Sequence, residues 1–156
     1  MRLYIVRHGQ AETASASGRD EDRRLVPRGE RQAAYLAAYF GAAERRPALI
    51  VASRYERALT TARIIQRAVG CPMQTVPELE SETPVSAAVE VIRAHSADPL
   101  MLVGHNPQLS QLVWVLTCGM PPAEAGLRTG EAVVLEVDRD EPVGSGREVE
   151  RVRAEE

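Results

Sequence analysis

Leu3-Tyr4-Ile5-Val6-Arg7-His8-Gly9 decides the reading of this 156-residue chain. The first four residues, apolar and rich in β-branched and aromatic side chains, read as a short buried strand. The strand ends in a cation, an imidazole and a glycine that lets the chain turn sharply. In open α/β sheets ligands sit beyond the carboxyl ends of the strands, which makes this triplet a candidate anion site. Taken alone, the triplet fits the start of an ordinary surface loop equally well, and the rest of the chain has to separate the two readings.

Two further apolar runs repeat the design. Ala48-Leu49-Ile50-Val51-Ala52 is too short for a helix and leads into Ser53 and Arg57. Leu100-Met101-Leu102-Val103 leads into Gly104-His105-Asn106-Pro107. Helical patterns lie between the runs. Pro27 suits a first helical turn, and residues 28–43 place apolar groups at 33, 36, 37 and 40 on one face. Ser53-x-x-Glu56 has the form of a capping box and opens a helix to about Val69, stopped by Gly70, Cys71 and Pro72. Thr83 and Pro84 read as cap and first residue of a helix to about His95, and Asn106 and Pro107 open another to about Leu116. Residues 73–76, 131–137 and 148–153 are strand-like. Strands alternating with helices predict one domain over 1–156, a three-layer α/β/α sandwich with a mostly parallel central sheet. The polar stretch 10–24 reads as a loop, and its charge run 19–24 as a solvated surface.

Composition narrows the function classes. Apolar residues make up 44% and charged residues 26%, ordinary for a globular protein with a proper core. A net charge of −3 argues against a general nucleic-acid or anionic-membrane binder. No apolar run approaches a membrane span, and residues 3–6 are too short for a signal-peptide core. A cytoplasmic protein, with neither nucleic acid nor membrane as partner, is expected. All 19 basic residues are arginines, so a single arginine is weak evidence here. Cys71 and Cys118 are too few for a disulfide framework and lack metal-ligand spacing. Cys118 is expected to be an inert buried thiol and Trp114 to belong to the core.

The three strand ends together offer Arg7 and His8, Ser53 with Arg57, and His105. Ser53, Arg57 and Thr61 recur at four-residue spacing, on one helix face. Arg57 falls in the first turn, where backbone N–H groups and the helix dipole already favour an anion. Two arginines, two histidines and a helix N-terminus facing one crevice suit a dianionic phosphate, because arginine grips phosphate oxygens bidentately and imidazoles can donate to the rest.

At this point a resemblance becomes specific. Arg7-His8-Gly9 after a first strand is similar to the signature of the histidine phosphatase superfamily. Ser53-x-x-x-Arg57-Ala58-x-x-Thr61-Ala62 resembles its second motif, and Val103-Gly104-His105-Asn106-Pro107 the motif around its second histidine. Within the superfamily, Arg7-His8-Gly9-x-Ala11-Glu12, Pro77-Glu78-Leu79, Gly104-His105-Asn106-Pro107 and Thr129-Gly130 most resemble the small SixA-type phosphohistidine phosphatases. The matches run in order from residue 1 to about 137, and the tail after Asp138 carries nothing diagnostic.

The resemblance implies a phosphoglycerate-mutase-like fold and a division of roles. His8 would attack phosphorus and become a covalent phosphohistidine; Arg7, Arg57 and His105 would bind the phosphoryl oxygens with it and stabilise the transition state. An unperturbed imidazole pKa of about 6.5 makes the neutral nucleophile available near pH 7. No metal and no cofactor are expected, since the histidines lack metalloprotease spacing and two arginines would repel a cation. Glu12 orders its loop in this reading, Ser53 caps a helix, and His95 is a surface or capping residue.

One departure bears on the substrate. Many phosphomonoesterases and mutases of the superfamily carry a glutamate where this chain has Ser81, flanked by Glu80 and Glu82. The candidate general acids are therefore Glu80 and Glu82. An alkoxide leaving group needs protonation, whereas imidazole protonated on its distal nitrogen leaves as a neutral base. The expected activity is thus a metal-independent hydrolase that dephosphorylates phosphohistidine on a protein, such as a histidine-containing phosphotransfer domain in signal transduction. The alternatives are a phosphatase for small phosphomonoesters and a non-catalytic phosphate-binding regulatory module.

Overall fold

The computed structural model describes residues 1–117 and 126–155. Among them, β1 (Arg2–Arg7), β2 (Leu49–Ala52), β3 (Met73–Thr75), β4 (Leu100–Gly104), β5 (Ala132–Glu136) and β6 (Arg147–Val152) form one sheet in the order β3-β2-β4-β1-β5-β6. The first four strands run parallel; β5 pairs antiparallel with β1, and β6 antiparallel with β5. The sheet is mixed but mostly parallel.

Strand alternation divides the core. Leu3 and Ile5 of β1 pack on one face with α3 (Val85–Ala94) and α4 (Gln108–Thr117). Tyr4 and Val6 pack on the other with α1 (Pro27–Ala42) and α2 (Glu56–Val69). The three layers anticipated from the sequence follow from this alternation, because a strand apolar on both faces needs cover on both. β4 is buried along its whole length, as a continuous apolar run in the middle of a sheet should be.

Helix boundaries agree best where local chemistry is unambiguous. Pro27 occupies the first turn of α1, where its missing N–H costs nothing, and Ala33, Leu36, Ala37 and Phe40 are its buried face. α2 ends on Gly70 in the left-handed conformation at φ 76°. Three expectations are corrected. The capping box over Ser53 does not form: α2 begins at Glu56 with no side-chain cap bond, and Ser53 stays tied to the sheet through its N–H to the Val103 carbonyl at 3.0 Å. α3 begins at Val85, with the Thr83 hydroxyl turned back to the Glu80 carbonyl at 2.7 Å. Trp114 is only half-buried, since α4 buries Leu109, Leu112, Val113 and Leu116 and residue 114 falls off that face. Cys118 lies outside the described residues. Cys71 is half-buried, and burial raises its thiol pKa. No helix among the described residues is long and apolar enough to cross a membrane.

Candidate active site

Sheet register builds the site. In the parallel β1–β4 ladder Arg7 pairs with Gly104, so the next residues, His8 and His105, emerge side by side. The His8 N–H bonds the Gly104 carbonyl at 3.1 Å, and the two rings lie 5.3 Å apart at 58°. β2 pairs Ala52 with Val103, which brings Ser53 to the same edge. Arg7, His8, Arg57, His105 and Asn106 thus line one cleft of about 290 Å³ at the carboxyl ends of the parallel strands.

The chain leaves His8 through Gly9, and glycine is required there by close approach. A Cβ on Gly9 would stand 2.5 Å from the Gly29 carbonyl oxygen, and one on Gly29 would stand 2.0 Å from the Gln10 oxygen. α1 is seated this tightly under the loop. The Gly9 N–H donates to Thr61 Oγ1 at 3.1 Å, and that hydroxyl donates to the Arg57 carbonyl at 2.8 Å. One threonine therefore ties the nucleophile loop to the first turn of α2.

His8 is buried, with Nδ1 2.6 Å from the Gly9 carbonyl oxygen. A carbonyl can only accept, so Nδ1 carries the proton and Nε2 keeps its lone pair. Burial pushes the His8 pKa down to about 4; Arg57 and Arg7 push the same way, and the Gly9 carbonyl opposes them. The ring is a neutral nucleophile at neutral pH, with its tautomer fixed by the backbone.

His105 is more deeply buried, and its pKa is pushed to about 3, first by burial and then by His8 and Arg57. Its Nε2 lies 2.8 Å from Ser53 Oγ, which also accepts the Tyr55 N–H at 3.2 Å. Ser53 Oγ has a proton to give Nε2, and in the tautomer that accepts it His105 carries its N–H at Nδ1. That buried Nδ1 has no protein partner, and neither do Nε of Arg7 or Nε of Arg57. Unpartnered buried donors are costly. All three sit on residues that line the cleft, whose guanidinium and imidazole groups suit an oxyanion.

The arginines are held differently. Arg7 donates NH1 to the Leu127 carbonyl at 3.1 Å, and burial, then Arg153 and Arg57, lower its pKa. Arg57 is almost fully buried, with NH1 2.8 Å from the Asp20 carbonyl oxygen and NH2 3.0 Å from Asp20 Oδ2. Asp20 belongs to a 3-10 turn, Asp20–Asp22, inside the charge run read from sequence as solvated surface. The run has no buried residue, as expected, yet Asp20 and Arg23 also line the cleft, and Arg23 NH1 bonds Asp20 Oδ1 at 2.8 Å. Nothing in a run of alternating charges distinguishes the carboxylate that reaches Arg57 while its side chain stays exposed.

The candidate acids separate. Glu80 Oε2 is 3.1 Å from Arg54 Nε, and Glu80 does not line the cleft. Glu82 and Ser81 do, and Glu82 takes a positive φ of 68°. Ser53 supports His105 instead of capping α2. Glu12 orders its loop, accepting the Arg24 N–H at 2.8 Å, and His95 bonds back to the Val91 carbonyl at 2.7 Å. Among the described residues no group of His, Cys, Asp and Glu is placed to hold a metal ion.

A mostly parallel α/β/α sheet that presents neutral histidines among arginine donors defines a phosphatase. Its family follows from the sequence: a model of the histidine phosphatase superfamily, branch 1, matches residues 3–82, and the chain belongs to that superfamily. Solved structures are similar over nearly the whole chain. A protein of Agrobacterium tumefaciens assigned as a phosphohistidine phosphatase SixA is 26% identical over 97% of this chain and 96% of its own, with a TM-score of 0.82. The protein histidine phosphatase SixA complexed with tungstate is 21% identical, covering 98% of this chain and 97% of its own, at 0.85. A mycobacterial glucosyl-3-phosphoglycerate phosphatase is 19% identical over 95% and 96%, at 0.72. A search of curated protein sequences gave no match.

Proposed function

We propose that this phosphatase acts on phosphohistidine carried by a protein. The observation that carries the reading is the character of the cleft: every residue lining it is polar. Such a cleft grips the phosphoryl group and offers no apolar wall to the carbon skeleton of a small metabolite, so the remainder of the substrate is recognised outside it. Similarity to the SixA structures supports the same substrate class.

In this reading His8 Nε2 attacks phosphorus in line, its lone pair forming the new N–P bond. The bond to the substrate imidazole breaks, and the electron pair leaves with that ring, which departs neutral if its distal nitrogen carries a proton. Arg7, Arg57 and His105 Nδ1 donate to the phosphoryl oxygens as negative charge redistributes. The Nδ1–H bond to Gly9 keeps phosphorylated His8 protonated on its far nitrogen. Water then attacks phosphorus, His8 leaves as a neutral imidazole, and the water's proton goes with the released phosphate. No step needs an acid on the leaving group.

The second reading, hydrolysis of small phosphomonoesters, is favoured by one observation: Glu82 lines the cleft, where a carboxylic acid could protonate an alkoxide. Turnover of a phosphohistidine protein set against alkyl and aryl phosphates tests the choice. Phosphohistidine and aryl phosphates are expected to react, with alkyl phosphates about 10²-fold slower or worse. Equal rates on alkyl phosphates, abolished by Glu82→Gln, would hand the protein to the second reading. Acid-labile phosphoenzyme should accumulate in the unmodified protein and be absent from His8→Ala; its absence from both would leave only a phosphate-binding module.

A further inference from the structure

The second histidine is followed by Asn106, which lines the cleft but holds no place in the chemistry above. Its amide is fixed on both sides. Oδ1 accepts from the Ser110 N–H at 3.2 Å and from the Ser110 hydroxyl at 2.6 Å, both in the first turn of α4. Nδ2 donates to the Leu127 carbonyl at 2.7 Å. An amide with donors on one side and a carbonyl on the other has a single orientation. The Ser110 hydroxyl, having given its proton to Asn106, accepts the Leu127 N–H at 2.9 Å. Leu127 is therefore clasped at both of its backbone polar groups by two side chains from the start of one helix.

The approach is close. A Cβ on Gly126 would stand 1.9 Å from Ser110 Oγ, so only glycine lets the chain pass there. Ser110 and Leu127 are both buried, where a lost hydrogen-bond partner is costly.

The same Leu127 carbonyl takes a second donor, NH1 of Arg7 at 3.1 Å, across 120 residues of chain. Nothing in β1 itself chooses among the rotations open to the Arg7 guanidinium. A carbonyl held still by Asn106 and Ser110 supplies that choice. With NH1 occupied there, the free edge of the planar fork is the one that carries Nε and NH2. Nε of Arg7 is buried without a protein partner, as a donor kept for an oxyanion should be.

We propose that Ser110 and Asn106 are positioning residues: through the Leu127 carbonyl they fix the guanidinium of Arg7 with its Nε edge toward the phosphoryl group. The proposal rests on Arg7 gripping that group, as inferred above. Donors whose direction is set beforehand cost no reorganisation while charge redistributes. Ser110 does not line the cleft, so it reaches the substrate only through these bonds.

A double-mutant cycle tests the proposal, read by titration calorimetry with tungstate and by turnover of phenyl phosphate. Ser110→Ala should weaken tungstate binding about fivefold and lower kcat for phenyl phosphate more than it changes KM. In an Arg7→Ala background the same substitution should change tungstate affinity by less than about twofold, since the group it acts through is gone. Gly126→Ala, which forces Ser110 Oγ aside, should repeat the pattern from outside the cleft, and circular dichroism checks the folding of each variant. In the unmodified protein the two terminal guanidinium nitrogens of Arg7 should give separate nitrogen-15 resonances, because the Leu127 carbonyl hinders their exchange by rotation. The Arg7 Nε–H resonance should shift when tungstate is added.

If Arg7→Ala binds tungstate as tightly as the unmodified protein, Arg7 does not grip the oxyanion, and the proposal falls with that part of the reading. If Arg7→Ala weakens binding and Ser110→Ala multiplies the loss in full, Arg7 keeps its role and the positioning network alone is overturned. A single averaged resonance for the terminal nitrogens of Arg7 in the unmodified protein would overturn the network as well, however the variants fold.

Discussion

Replacing Asp20 with asparagine removes the charge that holds Arg57 while keeping the size of the side chain. Arg57 directs two donors at this residue, one to the backbone carbonyl at 2.8 Å and one to Oδ2 at 3.0 Å, and only the second depends on the carboxylate. A hydrogen bond between charged partners contributes roughly 1.5–3 kcal/mol. The Asp20 side chain is 52% exposed, and solvent screening brings its share to about 1 kcal/mol. An oxyanion entering the cleft has to displace or share that contact and also meets the negative charge. Asp20→Asn should therefore bind vanadate or tungstate about fivefold more tightly. The hydrogen bond from Arg23, followed by that from Arg57, holds the Asp20 carboxyl below its ordinary range, so the difference should persist from pH 8 down to pH 5. Titration calorimetry at fixed salt measures it, with Arg57→Ala as the comparator. Equal or weaker oxyanion binding in a folded Asp20→Asn protein would refute competition and leave Asp20 as a support that shapes Arg57.

The buried histidines make stability depend on pH. Both folded-state pKa values, about 4 for His8 and about 3 for His105, lie below the unfolded value of about 6.5. Their contribution is therefore complete above pH 6.5 and declines as pH falls toward the folded values. Each unit below 6.5 should cost about 1.4 kcal/mol per histidine, so denaturant midpoints that agree at pH 7.5 and pH 5 would contradict their neutral burial. Arg57→Ala should weaken vanadate binding at least tenfold, whereas Arg67→Ala, exposed at the far end of α2, should not; matched losses would mean the anion site is elsewhere. Ser53→Ala leaves His105 Nε2 buried without a partner and should cost about 1–3 kcal/mol, read from thermal unfolding, and Ser53→Thr should restore part of it.

Much of this molecule follows from sequence because its determinants are local. Runs apolar on both faces, such as 100–103, leave no solvated side and have to become interior strands. Proline at 27 and glycine at 70 mark helix ends through their own backbone preferences. Arg7, His8, Arg57 and His105 could be paired before any fold was known, since each follows an apolar run that ends at the same edge of a parallel sheet. The tertiary structure decided what depends on a partner distant in the chain. Ser53 has the sequence of a helix cap, yet its hydroxyl serves His105, 52 residues away, because register places them side by side. Asp20 looks like any carboxylate in a charged loop until the turn folds it onto Arg57. The His8 tautomer is set by a neighbouring carbonyl, the His105 ring is held by a hydroxyl, and the neutrality of both comes from burial. A sequence specifies which groups can donate, accept or ionise; only packing determines which of them lose water and which partner takes its place.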